Sequence, residues 1–475
     1  MATQSGPAPG TRCHIVLVPG FGGFDALGRV TYYAGITRLF QQWKRRYDPP
    51  PVVLHYFDNL PTAAVVTRAT RLRKYLAKRM ARDEILENDR IVLVGHSTGG
   101  LDIRQLIRDL DNSKNRWVHV DGECRISARA IRHCLDAVVF LSVPHFGTNV
   151  ADWLYSHPVL RKTVITDLRA AFAGSQVYLL DEIEAGIAGG AACFTGADLL
   201  LALRDALTEA NDRLGAPDPS RIADAQEAAS ELELYFRHMA SDFRVINDLT
   251  SESHESEKSP AHFSYQERLK ELDLWNKPPK IRTLSYATVG GRPFRFPSPS
   301  GCPAPTFHLT DPFAYLEIAN GCGLSANTDI SYRLGYRACA GGPLRWPPLA
   351  GTVARVLGPP PPQPLELWDN DGIVNTVSML WPNDDTTLVQ ADHLDIIGHY
   401  RRRLAPREPG EDSREPPRTY QSYDSFRSSP LFDETTFKDV WTEIFFFSAI
   451  PKAFSQNQRS QPVRVTLAAG APAAC

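Results

Sequence analysis

Ser97 stands in Gly95-His96-Ser97-Thr98-Gly99, directly after the β-branched run 91–94 and directly before a stretch with helical spacing that runs to about 110. A G-x-S-x-G alone is a common pattern. Between a buried strand and a helix it describes a sharp turn that presents a serine hydroxyl, with glycines that let strand and helix approach closely. The helix start adds N–H groups where negative charge would develop during acyl transfer. A hydroxyl at its ordinary pKa is a weak nucleophile, so Ser97 needs a base, and the base needs an acid to orient it.

In this strand–turn–serine arrangement the partners follow in chain order, an acid and then a histidine after the last strand. His393, in "ADHLDIIG" behind the apolar run "TTLVQ", fits the base, and His399 is its competitor. His96 reads as structural, adjacent to the serine and pointing away across the turn. His145, in "SVPHFGT", precedes any acid and is a candidate for lining the substrate pocket together with Phe146. The stretch "WDNDGIVNTVSMLWP" places Asp369 and Asp371 in apolar company, where a carboxylate needs a partner. Residue type alone leaves open which of the two is paired. The oxyanion formed on attack needs two backbone N–H donors, one from Thr98 and one from the loop after the first core strand. That loop is "PGFGG", and Phe21 is its candidate donor.

The elements that must position these residues are strands alternating with helices. Apolar runs at 13–24, 51–58, 91–94, 135–142, 280–290 and 386–390 read as buried strands, with helices between them at about 62–86 and, after the turn 95–99, to about 110. The pattern predicts an α/β fold: a mostly parallel central sheet flanked by helices, interrupted by a helical lid or cap. The boundaries are a disordered lead at 1–11, a first core part at 12–150 and the helical insertion at 151–275. A second core part with a long Gly/Pro-rich insertion follows at 276–400, then a charged Pro-rich loop at 401–430, a C-terminal core helix at 431–451 and a flexible tail at 452–475. The Phe-rich "EIFFFSAI" reads as core packing of that last helix.

Of the 475 residues, 43 % are hydrophobic and 22 % charged, and the net charge of -2 gives no footprint for nucleic acid. The start of the chain has no secretory pattern and no run of eighteen apolar residues occurs, so no transmembrane segment and a cytoplasmic location are expected, with non-classical secretion left open. Eight cysteines without CxxC spacing read as reduced thiols, although Cys302, Cys322 and Cys339 share one Gly-rich segment. Oligomeric state is not legible.

Taken together, "VPGFGGF", "YYAGITRLFQQW", "GHSTGG", "SVPHFGT", "NDGIVNTVSM" and "DHLDIIG" resemble the α/β-hydrolase superfamily, and within it the bacterial triacylglycerol lipases of thermophile and staphylococcal type. The resemblance implies Ser97 as nucleophile, Asp371 as acid and His393 as base, with Phe21 and Thr98 at the oxyanion hole. Asp369 is then expected on a loop or at the surface. Those lipases carry zinc and calcium. No histidine occurs between Asp58 and Arg90, where their zinc ligands lie, so zinc is not expected. Asp395 matches one of their two calcium acids, but Tyr400 stands at the other, so calcium stays open with Asp395 as its candidate ligand, and no cofactor is required. The expected activity is hydrolysis of carboxylic esters with apolar acyl chains. A polyester depolymerase, an acyltransferase on the same scaffold and a non-catalytic binding protein are the alternatives.

Overall fold

The computed structural model describes residues 11–23, 26–27, 30–112, 116–120, 124–156, 238, 242, 244–253, 258–291, 339, 355–359, 365, 368–382, 386–400 and 432–450. Most of the expected lid (157–237), the loop 401–430 and the tail 452–475 lie outside them, as do Cys302 and Cys322. Cys339 carries a free, buried thiol.

The chain begins with β1 (Cys13–Val18), the short pair β2 (Ala26–Leu27) and β3 (Val30–Thr31), α1 (Ile36–Tyr47), β4 (Val52–Tyr56) and α2 (Val65–Ala81). It continues with β5 (Arg90–His96), α3 (Thr98–Asp111), the hairpin β6 (Trp117–His119) and β7 (Arg125–Ser127), α4 (Ala128–Cys134), β8 (Leu135–Leu141) and α5 (Asn149–Ser156). Then come α6 (Val245–Asp248), α7 (Tyr265–Asn276), β9 (Arg282–Val289), β10 (Arg355–Leu357), β11 (Thr387–Gln390) and α8 (Glu434–Ala449). Among the described residues seven strands form one parallel sheet in the order β10-β11-β9-β8-β5-β1-β4.

The strand sequences explain this arrangement. In "CHIVLV" every residue is buried, as a strand covered on both faces requires. Successive side chains then alternate between two cores. Ile15, Leu17, Val92, Val94, Val139 and Leu141 face α1 and α8. Val16, Val18, Ile91, Leu93, Val138 and Phe140 face α2 and α3. Each such side chain removed from water contributes about 1.5–3 kcal/mol. Trp441, Ile444 and Phe445 place the apolar side of α8 inside the first core, so the Phe-rich segment is packing. Val245, Leu249, Ala261 and Trp275, near the end of the expected insertion, belong to the second core. No helix among the described residues is long and apolar enough to cross a membrane.

The hairpin β6–β7 and the edge strand β10 were not expected from pattern. Both are three residues per strand, and β10 is only half-buried. Three residues carry too little alternation to stand out.

A buried polar chain lies at the N-terminal end of the sheet. His14 Nε2–H donates to Asp89 Oδ2 at 3.1 Å, because a carboxylate only accepts, and His55 Nε2–H therefore donates to His14 Nδ1 at 2.8 Å. The Arg12 guanidinium donates to the same Asp89 oxygen, and the Arg12 N–H donates to Oδ1 at 3.0 Å. Burial, then the fields of His14 and Arg79, against the opposing pull of Glu84, lower His55 from 6.5 to about 4, and burial lowers His14 as well. A base whose folded pKa lies below its unfolded one leaves the unfolded chain with more bound protons, so stability is full above about 6.5 and is lost as pH falls toward 4. The melting temperature of His55→Gln should therefore drop less than that of the parent between neutral pH and about pH 5, whereas an equal or larger drop would contradict this.

Candidate active site

Ser97 sits at the junction of β5 and α3 with φ 52 and ψ -130. Such a conformation costs a non-glycine residue about 1–3 kcal/mol and persists only where its surroundings enforce it. Here the Ser97 N–H donates to Leu141 O at 2.9 Å, and Ser97 O accepts the Gly100 N–H at 3.0 Å. The glycines are dictated by approach distance. A Cβ on Gly95 would lie 2.7 Å from Gly100 N, and one on Gly99 would lie 2.4 Å from Val18 O. A Cβ on Gly20 would lie 2.6 Å from Ser97 Cβ, so the loop after β1 rests directly on the serine. Thr98 opens α3, and first-turn N–H groups have no partner within their helix.

Asp371 is fully buried in the stretch between β10 and β11, and His393 follows β11. His393 Nδ1–H donates to Asp371 Oδ2 at 2.7 Å, and the His393 N–H donates to Asp371 O at 3.0 Å. Asp371 Oδ1 accepts the N–H groups of Ile373 (3.1 Å) and Val374 (2.8 Å), and Oδ2 accepts Thr288 Oγ1–H at 2.6 Å. Four donors thus surround one carboxylate, which accounts for an acid in apolar company. Since Nδ1 carries the proton, the neutral ring presents a lone pair at Nε2, the atom a general base uses.

The neighbours of this pair differ from expectation in two ways. Asp369 lies on a loop, as expected, but is completely buried and not at the surface, and its backbone carbonyl accepts the Thr376 N–H at 2.9 Å. His96 does not simply point away: its Nε2–H donates to His393 O at 2.8 Å, and the two rings lie 4.7 Å apart. It joins the serine turn to the histidine loop. His399 bonds the Tyr32 carbonyl at 2.9 Å, and His393 is the one that meets Asp371.

The loop after β1 is oriented by a buried ion pair that the sequence did not single out. Arg68 of α2 and Asp102 of α3 are both fully buried and meet at 2.9 Å. Arg68 Nη2 donates to Pro19 O (2.8 Å) and Gly20 O (3.0 Å), while Nη1 donates to Leu60 O and Pro61 O (3.1 Å). Burial raises the Asp102 carboxyl to about 6, against the lowering pull of Arg68 and Asn59. In a trans peptide the C=O and the following N–H point in opposite directions. Fixing Gly20 O on Arg68 therefore turns the Phe21 N–H to the other side of the loop. The amphipathic pattern of α2 gave no sign of this, because a lone arginine on a helix reads as solvated.

His145 and Phe146, expected to line the pocket, are used in packing. The His145 ring is fully buried between Phe140 and Trp381, its nitrogens without a hydrogen-bond partner among the described residues, and burial holds it well below the usual histidine range. Its carbonyl accepts from Arg104 and Arg268. Phe146 lies under the Arg268 guanidinium at 3.8 Å. At the expected calcium position Asp395 Oδ2 accepts the Asp392 N–H at 2.8 Å, and the Tyr400 ring is buried against Phe432 and Phe437. Calcium takes six to eight oxygen ligands. Among the described residues no cluster of three or more His, Cys, Asp or Glu able to hold a metal occurs.

No protein-family model and no curated protein matches the sequence. Among solved structures, similarity is found to bacterial lipases and esterases. A lipase from Staphylococcus hyicus aligns with TM-score 0.42 and 14 % identity, over 96 % of this chain and 100 % of that one. EstA from Clostridium botulinum aligns with TM-score 0.40 and 15 % identity, over 84 % and 86 %. A metagenomic carboxyl esterase, MGS0156, gives 0.31 and 14 %, over 92 % and 76 %.

Breaking the Arg68–Asp102 pair by Arg68→Met leaves a buried carboxylate without its cation, which costs about 3–5 kcal/mol. Urea unfolding should report a loss of that size, partly recovered in the double variant Arg68→Met/Asp102→Leu. A loss under about 1 kcal/mol, the range of surface pairs, would contradict the clamp.

Proposed function

We propose that the chain is a serine hydrolase of carboxylic esters with apolar acyl chains. The observation that carries this reading is the His393 ring, fixed on buried Asp371 through Nδ1 and tied through its carbonyl to the residue next to Ser97. Ser97 Oγ attacks the ester carbonyl carbon while His393 Nε2 takes its proton. The tetrahedral oxyanion is met by the N–H groups of Phe21 and Thr98. Its collapse expels the alcohol, which receives the proton from His393, and leaves an acyl group on Ser97. Water, deprotonated by the same nitrogen, attacks the acyl carbon, and the acid leaves as Ser97 recovers its proton. Asp371 keeps Nδ1–H in place and stabilises the imidazolium formed in both halves. The apolar acyl preference rests on the sequence resemblance and is the part a substrate panel decides.

The test is a series of p-nitrophenyl esters of rising chain length. Ser97→Ala should lower turnover by about 10³-fold or more, and Asp371→Asn, which disturbs the histidine tautomer, by about 10³–10⁴-fold. Asp369→Asn leaves the partner of His393 in place and should stay within about tenfold of the parent. Near-parental activity in Ser97→Ala would sink the assignment. Product formation only with an added alcohol would make the chain an acyltransferase.

A further inference from the structure

We propose that His96 is a positioning residue that, through Tyr32, ties the loop carrying His393 to the loop carrying Gly20 and Phe21, so that base and oxyanion donor are set by one hydrogen-bonded chain. This rests on the reading of Ser97 and His393 given above.

Three links make the chain. Gly20 N lies 2.9 Å from Tyr32 Oη, Tyr32 Oη lies 2.6 Å from His96 Nδ1, and His96 Nε2 lies 2.8 Å from His393 O. The ends dictate the direction. The Gly20 N–H can only donate and the His393 carbonyl can only accept. His96 therefore bears its proton on Nε2, its Nδ1 accepts the Tyr32 hydroxyl hydrogen, and the Tyr32 oxygen accepts from Gly20. A neutral ring satisfies all three bonds and also gives the Tyr32 hydroxyl hydrogen its acceptor. A cationic His96 would point a second N–H at the Tyr32 oxygen, displace its hydroxyl hydrogen and place a charge beside His393. His96 is fully buried, and burial together with the fields of His393 and His399 holds it well below the ordinary histidine value.

A second set of contacts joins the segment that carries Tyr32 to the end of the His393 loop. His399 Nε2 bonds Tyr32 O at 2.9 Å, and the Ala34 N–H donates to Ile397 O at 2.8 Å. A Cβ on Gly398 would lie 2.0 Å from Ala34 O, so the segments touch along their backbones. Tyr32 is thereby fixed to the His393 loop through its backbone and to the Gly20 loop through its hydroxyl. With its carbonyl on His96 and its N–H and Nδ1 on Asp371, His393 has three of its polar groups held and Nε2 left for substrate chemistry.

The test uses Tyr32→Phe, His96→Gln and their combination in the full chain, with Ser97→Ala alongside. Tyr32→Phe removes only the hydroxyl. His96→Gln can keep an N–H for the His393 carbonyl but loses the ring acceptor. Each single variant should lower kcat about 10- to 100-fold through misplacement of reacting groups, with KM within about twofold. The double variant should fall no further than the weaker single, because both break one chain. Losses that multiply, or a rise in KM with kcat unchanged, would overturn the coupling. Nitrogen-15 spectra of the histidine rings, assigned by the loss of one signal in His96→Gln, should show His96 as the Nε2–H tautomer with no titration between about pH 5 and 9. Titration near the ordinary histidine value, or an Nδ1–H tautomer, would overturn it. If Ser97→Ala kept full activity, the ester-hydrolase reading would fall, and the tautomer spectrum would still decide the hydrogen-bonded chain.

Discussion

A parallel strand buried on both faces has to hand its chain to a loop at its C-terminal end, and those ends collect on one edge of the sheet. The positions proposed for catalysis lie after such ends. Gly20 and Phe21 follow β1, Ser97 follows β5, and His393 follows β11, while Asp371 lies in the stretch between β9 and β11. Adjacent strands bring two of these loops together: β1 pairs with β5, so Gly20 comes to rest against Ser97. Binding at the carboxyl edge of an open parallel sheet is the general outcome of this geometry. The residue types then decide what chemistry the edge can do.

The edge is held by polar contacts placed where water cannot reach. Arg68 with Asp102 fixes the loop after β1, and Arg104 with Glu271, at 2.8 and 2.7 Å, braces the loop after β8 through the His145 carbonyl. A buried ion pair is weak evidence for net stability, because desolvation offsets most of the attraction. Its effect here is geometric. A guanidinium with several carbonyl acceptors tolerates only one arrangement of those carbonyls, and the opposing N–H groups are oriented with them. The same logic applies to Asp371, whose four donors leave its second oxygen no freedom to turn from His393.

What the sequence made legible is local or ordered along the chain. The turn at Ser97 shows itself as a strand, two glycines and a helix within twenty residues, and the proposed acid and base follow it along the chain. Six of the seven strands of the sheet, all but the edge strand β10, were legible as apolar runs. What remained hidden depends on partners far away in the chain. His96 meets Tyr32 across 64 residues and His393 across 297, so its neighbour-level context suggested only a structural role. Arg68 looks like any helix cation until Asp102 and the Pro19 and Gly20 carbonyls surround it. The burial of Asp369 was missed because its apolar surroundings were credited to Asp371 alone. His145 and Phe146 carry no local sign of Arg104, Arg268 and Trp381, which pack against them from far along the chain.

The most direct measurement is covalent capture of the nucleophile. The full chain is treated with a fluorophosphonate, digested, and the adduct is located by mass spectrometry. The expected result is a single adduct on Ser97, formed far more slowly in Asp371→Asn and absent in Ser97→Ala. An unlabelled parent chain, or an adduct on a different serine, would contradict a hydrolase built on Ser97, His393 and Asp371.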